Sequence, residues 1–445
     1  MIPDKKRRYH LLDHLQELLI KNQAEIGVIY GRESNLPIER YTKEFNRVIF
    51  VIEAFKNWLV APELPTNSID VDVEKGYDIR KTYHPIGRVL VFGASNFPLA
   101  YALVGGDVIS ALAAGCPVTY KSHPFQPQIT QHIYPLIKQA LKEANFPEDW
   151  IKVVDIDLKE TQRLILDPEI KAIAFTGSFE GGHAIYELAQ SRKRKIPVFA
   201  EMGSLNPVLI YPESNAETVN LWANKLAISI TENGGQFCTK PGLIFSVNNP
   251  QVVPFLEGAL QKTQVEPFIH EKLTSNFREK TRPLNLKSRA ENSILKISLS
   301  EFLSSNLYQT EFFGPFALVI ECQNEEEAME GLKHIEGQLT LSIFTENIQE
   351  IDWKTVPIEK FGRVIVNQVP TGVIPLPSMH HGGAYPASSD ARFTAVGIDS
   401  INRFLIPISF QNAPEAILPE ELKNQNLLQI YRRINGEFTK SDLCL

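Results

Sequence analysis

The sequence predicts an α/β protein: a parallel sheet covered by helices on both faces, a second α/β unit, and a projecting β-hairpin. Three observations carry this. Between residues 88 and 201, short apolar runs rich in β-formers alternate with helical stretches, the rhythm of repeated βαβ units. After residue 205 the same rhythm returns less regularly. Between the N-terminal helices and the first of these units, Ile69–Val73 and Tyr77–Tyr83 alternate in character around Lys75-Gly76, a hairpin with polar faces. At 445 residues the chain exceeds one ordinary core, and roughly one domain per 150 residues gives two or three.

The elements follow in order. From Arg7 to about Trp58 the pattern is helical, with Leu11, Leu12, Leu15, Leu18 and Leu19, then Val48, Ile49, Ile52, Phe55 and Leu59, at three- and four-residue spacing. After the hairpin, Arg88–Gly93 reads as a buried strand, about 99–114 as a helix of small side chains, and Pro117–Lys121 as a strand. A helix over about 128–145, a strand at Ile151–Val154 and a helix over about 159–165 come next. Strands at Ala172–Thr176 and Pro197–Glu201 flank a helix over about 181–191. A helix over about 215–232 leads to a glycine-rich turn and a strand at Gly242–Val247. Phe404–Phe410 is a strand whose Pro407 suits a sheet edge, and the tail from Pro414 to Leu445 is charged and without pattern.

Composition narrows the function. Apolar residues make up 43% and charged residues 22%, a soluble globular balance, and the net charge of −7 argues against nucleic acid as partner. The four cysteines, at 116, 238, 322 and 444, have no paired spacing, so neither a disulfide framework nor a zinc site is expected and a reducing compartment is. The N-terminus lacks the apolar block of a signal peptide, and no segment reaches the ~18 apolar residues of a membrane span. Lys5–Arg8 reads as a solvated helix end rather than a targeting patch. The expected location is the cytoplasm.

Chemistry concentrates at strand ends, where parallel sheets hold their ligands. Cys238 sits in Asn233-Gly234-Gly235-Gln236-Phe237-Cys238-Thr239-Lys240-Pro241-Gly242. Glycines give a sulfur open space and let backbone amides approach, the setting of a nucleophile, whereas Cys116 lies in an apolar run and reads as core. Asn96, in Gly93-Ala94-Ser95-Asn96-Phe97-Pro98, has two readings, an oxyanion donor or a helix cap. Lys121 ends a strand within reach of a cofactor hydroxyl, or is simply solvated. Thr176-Gly177-Ser178 opens a helix whose free amides suit a phosphate, although G-x-G-x-x-G is absent. Glu201 ends another strand and reads equally as a general base or as half of an ion pair. Glu311, in Thr310-Glu311-Phe312-Phe313-Gly314-Pro315, is a carboxylate among aromatic residues. His380-His381 is the one histidine cluster, placed in a loop near the substrate funnel and not expected to chelate a metal.

Taken together and in this order, these motifs resemble the aldehyde dehydrogenase superfamily from about residue 10 to about 410. The resemblance implies the aldehyde dehydrogenase fold: a Rossmann-like parallel-sheet cofactor domain (1–66 and 87–204), an α/β catalytic domain (205–396), and an oligomerisation arm with the C-terminal tail (67–86 and 397–445). It further implies that Cys238 is the nucleophile attacking an aldehyde, that Asn96 holds the oxyanion, and that hydride passes to NADP⁺ or NAD⁺, leaving a thioester that Glu201 helps water to hydrolyse. Lys121, Ser122, His123, Gly177, Ser178, His183, Glu311 and Phe313 match the cofactor-binding positions. Dimers or tetramers are implied.

Within the superfamily, Gly93–Ala100, Glu201-Met202-Gly203-Ser204-Leu205-Asn206-Pro207, Gln236–Gly242, Pro370–Val373 and His381–Asp390 are similar to the branch of 2-oxoglutarate semialdehyde (2,5-dioxopentanoate) dehydrogenases and NADP-dependent fatty aldehyde enzymes. That implies oxidation of 2,5-dioxopentanoate, with medium- or long-chain aldehydes as the alternative substrate and a non-catalytic binding protein as the alternative of another class. Ser122-His123-Pro124-Phe125-Gln126 offers no carboxylate to repel a 2′-phosphate, which favours NADP⁺. His183 stands where relatives often carry arginine.

Overall fold

A computed structural model of the chain describes residues 4–60, 67–213, 215–284 and 293–443. The chain begins with α1 (Lys5–Lys21), α2 (Gln23–Ser34) and α3 (Ile38–Val60). Asp4 caps α1 by accepting from the Arg7 amide at 2.8 Å. Asn35 ends α2 in the left-handed conformation, at φ 55°. Leu11, Leu15 and Leu19 of α1 and Val48, Ile52 and Phe55 of α3 are buried in one core, as the spacing requires.

The hairpin is β1 (Ser68–Asp72) and β2 (Tyr77–Pro85). Then come β3 (Arg88–Phe92), α4 (Gly106–Ala114), β4 (Val118–Lys121), α5 (Pro127–Glu143), β5 (Ile151–Val154), α6 (Leu158–Leu166), β6 (Ile170–Thr176), α7 (Phe179–Gln190) and β7 (Val198–Glu201). These five strands form a parallel sheet in the order β5-β4-β3-β6-β7. Both faces are covered, so neighbouring residues of one strand enter different cores. Val89 and Val91 pack toward the N-terminal helices, and Leu90 and Phe92 pack with Ile185 and Val198 on the opposite face. Strand order reverses between β3 and β6, which opens a crevice beyond their carboxyl ends.

The second unit comprises β8 (Val208–Ile210), α8 (Ala216–Thr231), β9 (Leu243–Val247), α9 (Val252–Lys262), α10 (Glu271–Thr281), β10 (Ser293–Ser298), α11 (Leu299–Leu303), β11 (Phe316–Cys322), α12 (Glu325–His334), β12 (Gln338–Phe344) and β13 (Phe361–Val366). Its six-stranded parallel sheet runs β10-β11-β9-β8-β12-β13 and is likewise buried on both faces. The third sheet adds β14 (Leu405–Gln411), β15 (Arg432–Ile434) and β16 (Glu437–Thr439) to the hairpin in the order β14-β2-β1-β15-β16. Pro407 lies on the edge strand β14. No helix among the described residues is long and apolar enough to cross a membrane.

Two sequence expectations need correction. The helix expected over 99–114 starts only at Gly106. The buried carboxylate of Glu44 accepts the Leu99 and Ala100 amides at 2.7 and 2.8 Å, so these donors serve a turn instead of a helix. The patternless tail is also structured, because β15 pairs in parallel with β1 and is then folded back on β16. Arg432, fully buried, ties that return together by donating to the carbonyls of Lys423, Asn424 and Ser441. Polar side chains satisfying backbone carbonyls leave no apolar periodicity to read. Cys444 lies outside the described residues.

Candidate active site

The site forms where the crevice at β3, β6 and β7 faces the turn that precedes β9. A cavity of about 310 Å³ there is lined by Asn96, Gly177, Ser178, Glu201, Cys238, Glu311 and Phe313, seven of the residues expected from sequence. On its far side Cys238 borders a second cavity, of about 440 Å³. The sulfur therefore stands between two spaces and is not sealed in a core. Cys116, by contrast, is fully buried, and burial pushes its thiol up to about 11.

Local backbone explains the placement of Cys238. Asn233, Gly234 and Gly235 have φ of 56°, 61° and 67°, three successive left-handed residues that swing the chain out of α8. A Cβ at Gly235 would come within 2.2 Å of the Gly314 carbonyl carbon, so this turn lies backbone against backbone on the Glu311–Pro315 loop. Asn206 then fixes the turn from the other side, its amide donating to the carbonyls of Cys238 at 2.7 Å and Lys240 at 3.0 Å. Asn96 does not cap a helix, since α4 begins ten residues later. Its Nδ2 donates to the Gln236 carbonyl at 2.8 Å, holding the amide beside the cysteine turn.

Glu201 is buried, and among the described residues its carboxylate takes no hydrogen bond apart from that of the Cys238 thiol. His381 stands beside it, its Nε2 3.1 Å from Oε1. The same Nε2 lies 3.5 Å from the Cys238 sulfur. Sequence reasoning placed the histidine pair in a loop by the substrate and went no further; the fold brings His381 into the site. The segment 387–389 laces onto β7, with Met202 donating to Ala387 at 2.8 Å and Ser389 to Ala200 at 2.9 Å. His381 itself is held by its amide on Thr394 Oγ1 at 2.8 Å. The ligand atoms of Glu201, Cys238 and His381 lie within 4.8 Å of one another, so the site does assemble a convergent donor set that sequence spacing did not suggest.

Electrostatics set the resting state. Burial, then the Glu201 charge and its hydrogen bond with the thiol, then the Glu311 charge, push Cys238 well above its ordinary range, while Arg363 opposes them. The resting sulfur is therefore a neutral thiol with a proton acceptor beside it. Burial likewise raises Glu311, against the pull of Lys240 and Lys280. Glu311 abuts Gly203, where a Cβ would meet its Oε2 at 2.2 Å.

Four expected residues lie off this cavity wall. Lys121 Nζ donates to the Ser122 carbonyl at 2.8 Å, and Ser122 Oγ bonds Thr130 Oγ1 at 3.3 Å. His123 accepts the Phe125 amide on Nδ1 at 3.2 Å; burial and the nearby Lys121, His270 and Lys272 hold it at about 4, so it offers no charge at neutral pH. His183 stacks on Phe179 at 5.3 Å. Conversely, Asn276, Phe277 and Lys280 of α10 line the cavity without having been singled out, because a polar amphipathic helix carries no motif.

The wall fits a dinucleotide. The N-terminus of α7 meets the cavity at Ser178 and Glu180, where helix amides suit a phosphate. The Gly177 amide is already given to the Glu201 carbonyl at 3.1 Å, and the buried Thr176 hydroxyl beside it has no hydrogen-bond partner among the described residues. Such a group, a thiol with an adjacent acid–base pair and an amide donor can together add sulfur to a carbonyl and later deliver water to it.

Comparison with known proteins adds to this geometry. The model of the aldehyde dehydrogenase family matches residues 3–272 and 303–401. An alpha-ketoglutaric semialdehyde dehydrogenase of Acinetobacter baylyi is 33% identical, over 96% of this chain and 87% of its own. Alpha-ketoglutaric semialdehyde dehydrogenase 2 of Azospirillum brasilense is 31% identical, over 91% and 82%. Among solved structures, aldehyde dehydrogenase 21 of Physcomitrella patens superposes with a TM-score of 0.76 at 19% identity, over 93% of this chain and 87% of that one.

Proposed function

The chain belongs to the aldehyde dehydrogenase family, an aldehyde-oxidising, NAD(P)-dependent oxidoreductase, and we propose that it converts 2,5-dioxopentanoate to 2-oxoglutarate. The observation that carries this reading is the meeting of Cys238, Glu201, His381 and Asn96 between two cavities. The two relatives at 33% and 31% identity support the substrate, since alpha-ketoglutaric semialdehyde is the same compound.

Cys238 gives its proton to the Glu201–His381 pair and its sulfur adds to the aldehyde carbon, forming a thiohemiacetal. The Asn96 amide donates to the new oxyanion, a contribution of about 2.7–4 kcal/mol where such donors are removed. When bound in the cavity beside β6, NAD(P)⁺ would supply a hydride acceptor, and the hydride would come from the thiohemiacetal carbon held on Cys238. Gly177, Ser178, Glu311 and Phe313 would hold it, with Lys121, Ser122, His123 and His183 toward its adenosine end. NADP⁺ is the preferred form: no carboxylate follows Lys121, and Lys272 joins it near His123. Loss of the hydride leaves a thioester. Once the first proton has passed to solvent, Glu201 takes a proton from water as it attacks that thioester. The adduct collapses to the acid with the Cys238 thiolate as leaving group, which recovers the proton from Glu201. The carboxylate also distinguishes hydrolysis from transfer to another acceptor.

Residues 1–66 and 87–204 serve as the cofactor domain, 205–396 as the catalytic domain, and 67–86 with 397–445 as the arm and tail through which two or four copies assemble in the cytoplasm. The test is dinucleotide reduction with 2,5-dioxopentanoate against dodecanal, each with NAD⁺ and NADP⁺. A kcat/KM at least about tenfold higher for the acid is expected; a preference for dodecanal sinks the substrate assignment.

A further inference from the structure

We propose that Arg40 is the seat for the distal carboxylate of the substrate, so that the cavity behind Cys238 selects short aldehydes ending in an acid. This rests on the reading of Cys238 as the residue that takes the aldehyde. The cavity presents one face of α3, with Arg40, Lys43 and Arg47 at helical spacing, against Phe97 and Phe237.

The three cations differ in what their donors already do. Arg47 is spent on structure, donating to the Val373 carbonyl and, at 3.4 Å, to the Tyr101 hydroxyl. Lys43 is exposed. Arg40 is only 11% exposed at its side chain, its Cζ 4.4 Å from the Phe97 ring and 5.2 Å from that of Phe237. Its Nε and Nη2 are buried and have no hydrogen-bond partner among the described residues.

Glu44 forms a buried ion pair with Nη2 at 3.6 Å, too long for a hydrogen bond. One oxygen of Glu44 takes the Leu99 and Ala100 amides, and the other takes the Tyr30 hydroxyl at 2.7 Å. The remaining acid on the wall, Glu232, makes three cations against two carboxylates. The ion pair still leaves Nε and Nη2 without a hydrogen bond among the described residues, which is costly for a buried guanidinium. Its planar fork suits a carboxylate, bidentate, and the two phenyl rings hold the plane in place. An alkyl tail would leave both donors unpaired, so the wall favours an acid over a fatty chain.

The experiment compares the wild type with Arg40→Met, which keeps the stem and removes the donors, and with Arg40→Lys. Turnover is measured on glutarate semialdehyde and on pentanal, two chains of equal length. In parallel, glutarate is tested for protection of Cys238 against iodoacetamide. Arg40→Met is expected to lower kcat/KM for the acid by about 100-fold, to leave pentanal within about threefold, and to abolish protection by glutarate, with Arg40→Lys between. Equal losses on both aldehydes, or unchanged protection by glutarate, would overturn the proposal. Should the wild type oxidise neither aldehyde, the enzymatic reading fails, while glutarate protection still decides whether Arg40 holds a carboxylate.

Discussion

His381 Nε2 stands 3.1 Å from a carboxylate oxygen of Glu201 and 3.5 Å from the sulfur of Cys238, and so bridges the two groups. Among the described residues the Glu201 oxygens otherwise take only the Cys238 thiol, and His381 Nδ1 has no hydrogen-bond partner. Buried polar groups left this open are poised for a reactant or for a moving proton.

Replacing the bridge tests whether it moves protons. His381→Phe keeps a ring of similar shape and removes both nitrogens. We expect kcat to fall by about 100-fold at saturating aldehyde and dinucleotide, with the thermal unfolding midpoint little changed and partial recovery in His381→Gln. A kcat within a factor of two or so of wild type, at any pH tested, would reduce His381 to a wall of the pocket.

The charge of Glu201 raises the Cys238 thiol, so removing it has opposite effects on two measurements. In Glu201→Gln the folded-state thiol falls toward its ordinary value, the thiolate fraction at pH 7.5 grows, and iodoacetamide alkylation of Cys238 speeds up at least about threefold. Turnover of aldehyde in the same variant drops by about 10³-fold, since the proton acceptor is gone. Slower alkylation together with slower turnover would mean that the carboxylate supports the thiolate instead of opposing it. Cys116 and Cys322, pushed up to about 11 and about 12 by burial, stay unlabelled in the native protein.

A third prediction concerns stability. Arg403 Nη2 lies 2.7 Å from Asp107 Oδ1, both side chains under 10% exposed, and this pair fastens the segment before β14 to α4. Asp107→Ala strands a buried guanidinium and is expected to cost about 3–5 kcal/mol by urea unfolding. Arg392→Ala, which breaks the exposed pair with Asp390, should leave the urea midpoint unmoved. Equal shifts in the two variants would show that burial is not what gives the Asp107 pair its weight.

Much of this site could be read in one dimension. The strands at 88–92, 118–121, 170–176 and 198–201 announce themselves because a parallel strand buried on both faces is a continuous apolar run. Asn96, Gly177, Glu201 and Cys238 follow from that, since each stands at a strand end or in a glycine turn. His381 did not follow. Its neighbours have no periodicity, and it enters the site through strand-like pairing between 387–389 and β7, some 190 residues away in sequence.

Sequence alone determined the order of elements, the polar-faced hairpin and which cysteine stands in an open glycine turn, because hydrophobic period and glycine placement are local properties. Tertiary structure decided which titratable groups meet that thiol, which arginine lies between two phenyl rings on the second cavity, and that the tail completes the third sheet. Each of those depends on burial and on approach between distant segments. Desolvation and hydrogen-bond competition settle them, and neither is written in any window of the chain.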